Sequence, residues 1–207
     1  MVRPYSTAAE RAVCPADCAQ LRVPPRGMHR ALCGRTFLGV LVNPPWDRKG
    51  CTVATIEALA LDHICPLGFV FIWVEKEVLH QVVDVLSKAK FVYVENLTWV
   101  MLQPSNRVVT APAPIIARSH RTLLIFRRDT REFPKAKDTE LRHQRSPDVD
   151  VAVVSTGTDG RLLTPAAAYE AIETLLPGGY TAGQPGRFAE LWGHTEIQRA
   201  GWTHCVE

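Results

Sequence analysis

Asn43, Pro44, Pro45 and Trp46 stand in a row directly after the apolar run Phe37-Leu38-Gly39-Val40-Leu41-Val42. Such a run reads as a buried strand, so the four residues form the loop at its carboxyl end. An amide oxygen followed by a proline carbonyl can accept both hydrogens of an exocyclic amine. An amine conjugated with an aromatic ring is a poor nucleophile. Bonding both of its hydrogens pushes the nitrogen toward tetrahedral geometry and aims its lone pair at an electrophilic methyl group. The two prolines lock φ and remove competing backbone donors, and Trp46 offers a face on which an unstacked base can lie. The competing reading of the same tetrapeptide is an ordinary Pro-rich turn.

Holding such a loop in place calls for strands and covering helices, and the chain alternates them. After the first strand, Ile56, Leu59 and Ala60 repeat at helical spacing between Thr52 and Asp62. Phe69-Val70-Phe71-Ile72-Trp73 is apolar at every position, as expected of a strand buried on both faces of a parallel sheet. Glu75 to Lys90 carries Val78, Leu79, Val82, Val83, Val85 and Leu86 on one broad face and reads as a crossover helix. Further strands are expected at Phe91–Val100, Thr122–Phe126, Val149–Val154 and Phe188–Gly193. A last helix runs to Leu176, with Thr164 as its N-cap and Pro165 in its first turn, and Pro177-Gly178-Gly179 ends it. Gln103 to Arg118 and the charged stretch Arg127 to Pro147 read as loops. The pattern predicts an α/β fold: an open, mostly parallel, doubly wound sheet flanked by helices, with ligands beyond the carboxyl ends of its strands.

With 207 residues, 46% of them hydrophobic, the chain can bury one good core. No apolar stretch reaches the roughly 20 residues that span a bilayer, which excludes a membrane partner of that kind. A net charge of +3 permits a nucleic-acid partner without requiring one. The six cysteines are too sparse for a secreted disulfide scaffold, so an intracellular, reducing compartment is expected. Cys14, Cys18, His29 and Cys33 have the spacing of a small zinc site. The plainer reading, taken here, is no metal: Cys33 begins the core and the other three are incidental. Arg3, Ser6 and Thr7, with no acid before Glu10, are compatible with an organellar transit segment, whereas Pro4 and the brevity of the stretch point to a frayed terminus. At most one short helix, Ser6 to Val13, is expected before the sheet.

Several stretches, in order, make residues 35–207 resemble the eukaryotic N6-adenosine methyltransferases, a family that includes the mRNA-modifying catalytic subunit and its inactive partner. They are the first strand with Asn43-Pro44-Pro45-Trp46, then Gly68-Phe69-Val70-Phe71-Ile72-Trp73, Leu97-Thr98-Trp99, Ser119-His120-Arg121-Thr122-Leu123-Leu124 and Val149-Asp150-Val151. Tyr169 to Pro177, Glu190-Leu191-Trp192-Gly193 and Arg199-Ala200-Gly201-Trp202 complete the series. The resemblance implies a Rossmann-like methyltransferase domain over 35–207 behind an irregular lead-in, 1–34. It implies S-adenosylmethionine as cofactor and the N6 amine of adenine as acceptor, in RNA ahead of DNA. Asn43, Pro44, Pro45 and Trp46 would be the catalytic loop. A second methyltransferase-fold subunit or a ribonucleoprotein would be the partner, in the nucleus or an organelle such as the mitochondrion.

The departures from the family concentrate in the donor pocket. Asn43 replaces the usual Asp, Thr164 a lysine that opens the late helix, and His194 an arginine after the last strand. Val206-Glu207 stands for a glycine-asparagine pair, and Val23-Pro24-Pro25-Arg26 for an acidic segment. Thr164, His194, Glu196 and Glu207 are thereby the candidate cofactor contacts, and Lys49, Arg118, His120 and Arg121 the candidate nucleic-acid contacts. A buried donor carrying a carboxylate and an ammonium needs paired partners. The sequence therefore leaves two functions open, an active methyltransferase and an inactive subunit of the same fold.

Overall fold

The computed structural model describes residues 19–22, 32, 34–113, 115–144, 146–181 and 186–206. Cys14, Cys18, His29, Cys33, the expected Ser6–Val13 helix, Val23–Arg26 and Glu207 lie outside the described residues. Eight strands, β1 (Ala19–Arg22), β2 (Gly39–Val42), β3 (Phe69–Val74), β4 (Phe91–Leu102), β5 (His120–Arg128), β6 (Val149–Val153), β7 (Phe188–Leu191) and β8 (Trp202–Val206), form one sheet. Their order is β1-β8-β7-β2-β3-β5-β4-β6. Five of the seven pairings are parallel, and β5 runs antiparallel to both of its neighbours. Four α-helices accompany the described strands: α1 (Val53–Glu57), α2 (Leu61–Ile64), α3 (Leu79–Lys88) and α4 (Ala166–Leu175). The protein is thus an α/β fold on a mixed, mostly parallel sheet. None of its described helices is long and apolar enough to cross a membrane.

The central strands are apolar at every position because both faces are covered. Val40, Val42, Val70, Ile72 and Val74 pack with Ile56, Leu59, Leu61, Ile64, Val82 and Leu86 from the α1–α3 side. Their alternates Leu41, Phe69, Phe71 and Trp73 pack with Ala168, Tyr169 and Ile172 of α4. Each large side chain buried this way stabilises the fold by about 1.5–3 kcal/mol. The strand centres are therefore a rigid apolar platform, and polar residues gather at the ends. At one end of β3 the packing is close enough to demand glycine: a Cβ on Gly68 would lie 2.0 Å from the Leu38 carbonyl oxygen.

Five features differ from the sequence-based expectation. The helix expected from Thr52 to Asp62 is broken into α1 and α2 by Ala60, whose φ of 49° is left-handed. Leu59 and Leu61 both enter the same core cluster, yet on a continuous helix they would point about 200° apart; the break rotates the chain so that both are buried. Thr164 is not an N-cap. Pro165 holds that position and α4 begins at Ala166, because the Thr164 hydroxyl is drawn to Asn43 and Glu190 instead. β3 and β4 are parallel, as a crossover requires, but β5 is inserted between them. Finally, the last strand expected, Phe188–Gly193, ends at Leu191 and is followed by β8, which had no counterpart in the sequence pattern. Beyond β8, Ala19–Arg22 of the lead-in adds an edge strand, anchored by Gln20 donating to the Thr195 and Ile197 carbonyls at 2.9 and 3.2 Å.

Candidate functional site

β2 and β7 are parallel neighbours, but the chain leaves β2 toward β3 on one side and β7 toward β8 on the other. Connections that diverge in this way open a crevice at the carboxyl ends of the two strands. Asn43 lies there: its backbone N–H donates to the Leu191 carbonyl at 3.0 Å. Its side chain, 4% exposed, has partners on both sides. Nδ2 donates to Thr164 Oγ1 at 3.4 Å and reaches His194 Nε2 at 3.3 Å, while Oδ1 accepts from Arg121 Nη2 at 3.4 Å.

A donation from Asn43 requires His194 Nε2 to be the acceptor, so the imidazole is neutral with its proton on Nδ1. Burial first, then the charge of Arg161, holds its pKa below the ordinary value. His194 Nδ1 is buried without a hydrogen-bond partner, and the nearest carboxylate oxygen, on Asp159, is 3.8 Å away. Because the folded imidazole resists a proton that the unfolded one accepts near pH 6.5, its neutral form supports stability above that pH, and the support is lost as pH falls below it. The urea midpoint is expected to drop on acidification from pH 8 to pH 5 more steeply in the wild type than in His194→Gln. Equal slopes would show that His194 is not held neutral by the fold.

On the β3 side of Asn43 lies a cleft of about 510 Å³. Its walls include Pro44, Pro45 and Trp46, then Glu75 and Glu77 beyond β3, Met101 on β4, and Arg118, Arg121 and Arg161. The loop is held by its own bonds: Trp46 N–H donates to the Pro44 carbonyl, Arg48 N–H to the Pro45 carbonyl, and Trp46 Nε1 to the Trp73 carbonyl, each at 2.9 Å. Trp46 is therefore a fixed wall rather than a swinging side chain. Glu75 pairs with Arg118 at 2.6 Å and with Arg121 at 3.6 Å, and Arg121 also lies 5.3 Å over the Trp73 ring. Burial raises the Glu75 pKa while the two arginines oppose it. Charges this enclosed persist only when paired.

The candidate residues separate accordingly. Asn43, Pro44, Pro45, Trp46, Arg118 and Arg121 meet at the cleft. Thr164 and His194 touch Asn43 from the β7 side and are buried there. Glu196 is exposed and accepts the Thr158 backbone N–H and the Thr195 hydroxyl; these bonds, the Thr158 ones first, hold its pKa at about 2. Lys49 is exposed beyond the loop. His120 is exposed as well, and strand alternation sends it to the face opposite Arg121.

Residues that the sequence did not single out complete the site. Glu190, fully buried on β7, accepts from the Tyr169 hydroxyl at 2.9 Å and lies 2.6 Å from His204 Nδ1. Through Thr164, 3.5 Å away, it connects to Asn43. An acid inside the apolar run Phe188–Leu191 was the signal available for it. Glu75 was signalled as Asn43 was, by its place directly after a buried strand. Arg161, near the end of a polar loop, carried no such signal.

The chain matches no known protein family and no curated protein. The chemistry of the site rests on its geometry.

Proposed function

We propose that this protein is a Rossmann-like methyltransferase that presents the N6 amine of adenine in nucleic acid, RNA ahead of DNA, for methylation with S-adenosylmethionine as donor. The observation that carries this reading is the position of Asn43-Pro44-Pro45-Trp46 at the divergence of β2 and β7, open to the 510 Å³ cleft. Asn43 Oδ1 and the Pro44 carbonyl oxygen each accept one protein donor, from Arg121 and from the Trp46 N–H. A carbonyl oxygen has two lone pairs, so each retains one for an amine hydrogen. Trp46 and the prolines give the base a fixed wall. No general base is required, because the amine loses its proton after it has been methylated.

The polar groups on the β7 side fit the methionine end of the donor. The Trp192 and Gly193 carbonyls accept N–H donors there, as an ammonium needs. His194 Nδ1 is an orphaned buried atom, and Thr164 contributes a hydroxyl. When bound, S-adenosylmethionine supplies an electrophilic methyl group on a sulfonium.

A second reading is a catalytically inactive subunit that pairs with a partner methyltransferase or docks on a ribonucleoprotein. One observation favours it: the Trp192 and Gly193 carbonyls are filled by Arg161. Incubation of the chain with methyl-labelled donor and adenine-containing RNA or DNA oligonucleotides, followed by nucleoside analysis, separates the two. N6-methyladenine is the expected product. Its absence from every oligonucleotide, with a candidate partner added, would leave the inactive-subunit reading.

A further inference from the structure

The segment 157–162 joins β6 to α4 and folds back on itself, with Gly157 N–H donating to the Arg161 carbonyl at 2.8 Å and Gly160 N–H to the Gly157 carbonyl at 3.0 Å. From it the Arg161 side chain, 9% exposed, runs to the end of β7. Its Nη1 and Nη2 donate to the Trp192 and Gly193 carbonyls, both at 2.8 Å, and its Nε is paired with Asp159. Successive carbonyls of an extended strand point in opposite directions. Here they converge on one group, because Trp192 takes a left-handed φ of 57°, a conformation unusual for a non-glycine residue. Converging carbonyls make an acceptor site for a cation with several N–H groups, and Arg161 supplies that cation from within the chain.

Two further observations concern the seat of this loop. His194 Nδ1, fully buried and without a hydrogen-bond partner, faces it: a Cβ on Gly157 would stand 3.2 Å from that nitrogen. The outer ties of the loop are exposed and few. Asp159 reaches Arg48 at 3.7 Å and accepts from Arg48 Nη2 at its backbone carbonyl at 3.2 Å, and Thr158 N–H donates to Glu196. Exposed ion pairs of this kind are weak, so Arg161, together with the core packing of Leu162 at the loop's end, holds the loop.

We propose that Arg161 is an internal occupant of a ligand site: its guanidinium fills the Trp192–Gly193 carbonyl pair, which takes the ammonium of an amino-acid-bearing ligand once loop 157–162 swings outward. The site is latched shut by its own side chain. The choice of S-adenosylmethionine as that ligand rests on the methyltransferase reading above; the latch itself does not.

The test is calorimetric titration of wild type, Arg161→Ala and Asp159→Ala with S-adenosylmethionine and its demethylated product, paired with hydrogen–deuterium exchange over residues 155–163 and 190–197. Asp159→Ala alters an exposed residue and stays informative if Arg161→Ala does not fold. The expected result is faster exchange in both segments in each variant, with at least tenfold tighter binding in Arg161→Ala and a smaller gain in Asp159→Ala, which leaves the guanidinium on the carbonyls. Unchanged exchange with unchanged binding overturns the latch. Faster exchange without binding by any of the three proteins leaves Arg161 a structural tie between the two segments and overturns the donor as a ligand of this site, whereas equal binding by wild type and variants overturns the latch and leaves the donor reading standing.

Discussion

Glu190→Ala is expected to cost about 2–5 kcal/mol of folding stability, because it strips the shared acceptor from two buried polar groups at roughly 1–3 kcal/mol each. Both Glu190 and His204 are fully buried, 2.6 Å apart, and the second carboxylate oxygen accepts the Tyr169 hydroxyl. Alanine would take the shared carboxylate away from an imidazole and a phenol inside the sheet–α4 interface. Burial and the adjacent carboxylate already hold Tyr169 well above its usual pKa, so the phenol stays a neutral donor in need of an acceptor. Glu190→Gln keeps an oxygen for Tyr169 and can donate to the imidazole, and its cost is expected to be about 1–2 kcal/mol. With total stabilities of about 5–15 kcal/mol, the first variant approaches the limit of folding and the second does not. Urea unfolding of both variants provides the measurement. A Glu190→Ala protein within about 1 kcal/mol of wild type would show that the pair contributes little.

Asn43→Ala is expected to lower methyl transfer to an adenine oligonucleotide by about 10²–10³-fold, the range for loss of one preorganised polar contact to a reacting group. The variant removes the oxygen assigned to the amine and leaves Arg121, Thr164 and His194 without their shared partner. Asn43→Asp keeps an acceptor and forms an ion pair with Arg121, and it is expected to stay within about tenfold of wild type. Kinetics would be followed in whichever background, wild type or Arg161→Ala, turns over faster. Full activity of Asn43→Ala would remove the loop from the mechanism.

The candidate site was legible where a local signal coincided with a strand end. Asn43 directly follows an apolar run, and beyond β2 there is no more sheet for it to join, so its polar group must serve the crevice. Thr164 was read as a helix cap because Thr before Pro and an alanine-rich segment is a local cap pattern. The competing bonds to Asn43 and Glu190 come from residues 121 and 26 positions away, and no local pattern reports them. His120 and Arg121 look equivalent in sequence, yet strand alternation gives one to solvent and the other to the cleft.

By itself the sequence determined which segments are buried: Phe37–Val42 and Phe69–Trp73 must be buried strands, because runs without polar alternation need cover on both faces. It also determined that Asn-Pro-Pro-Trp stands at a strand end with a rigid backbone. Only the tertiary structure decided that β8 and β1 extend the sheet beyond β7, that Ala60 breaks a helix so that Leu59 and Leu61 share one core, and that Arg161 rather than an open pocket meets the carbonyls of Trp192 and Gly193. The reason is physical. Hydrophobic period is a property of neighbours along the chain and reports burial, whereas strand order and the meeting of polar side chains depend on long-range register, where burial alone leaves many arrangements equal and a few hydrogen bonds select one.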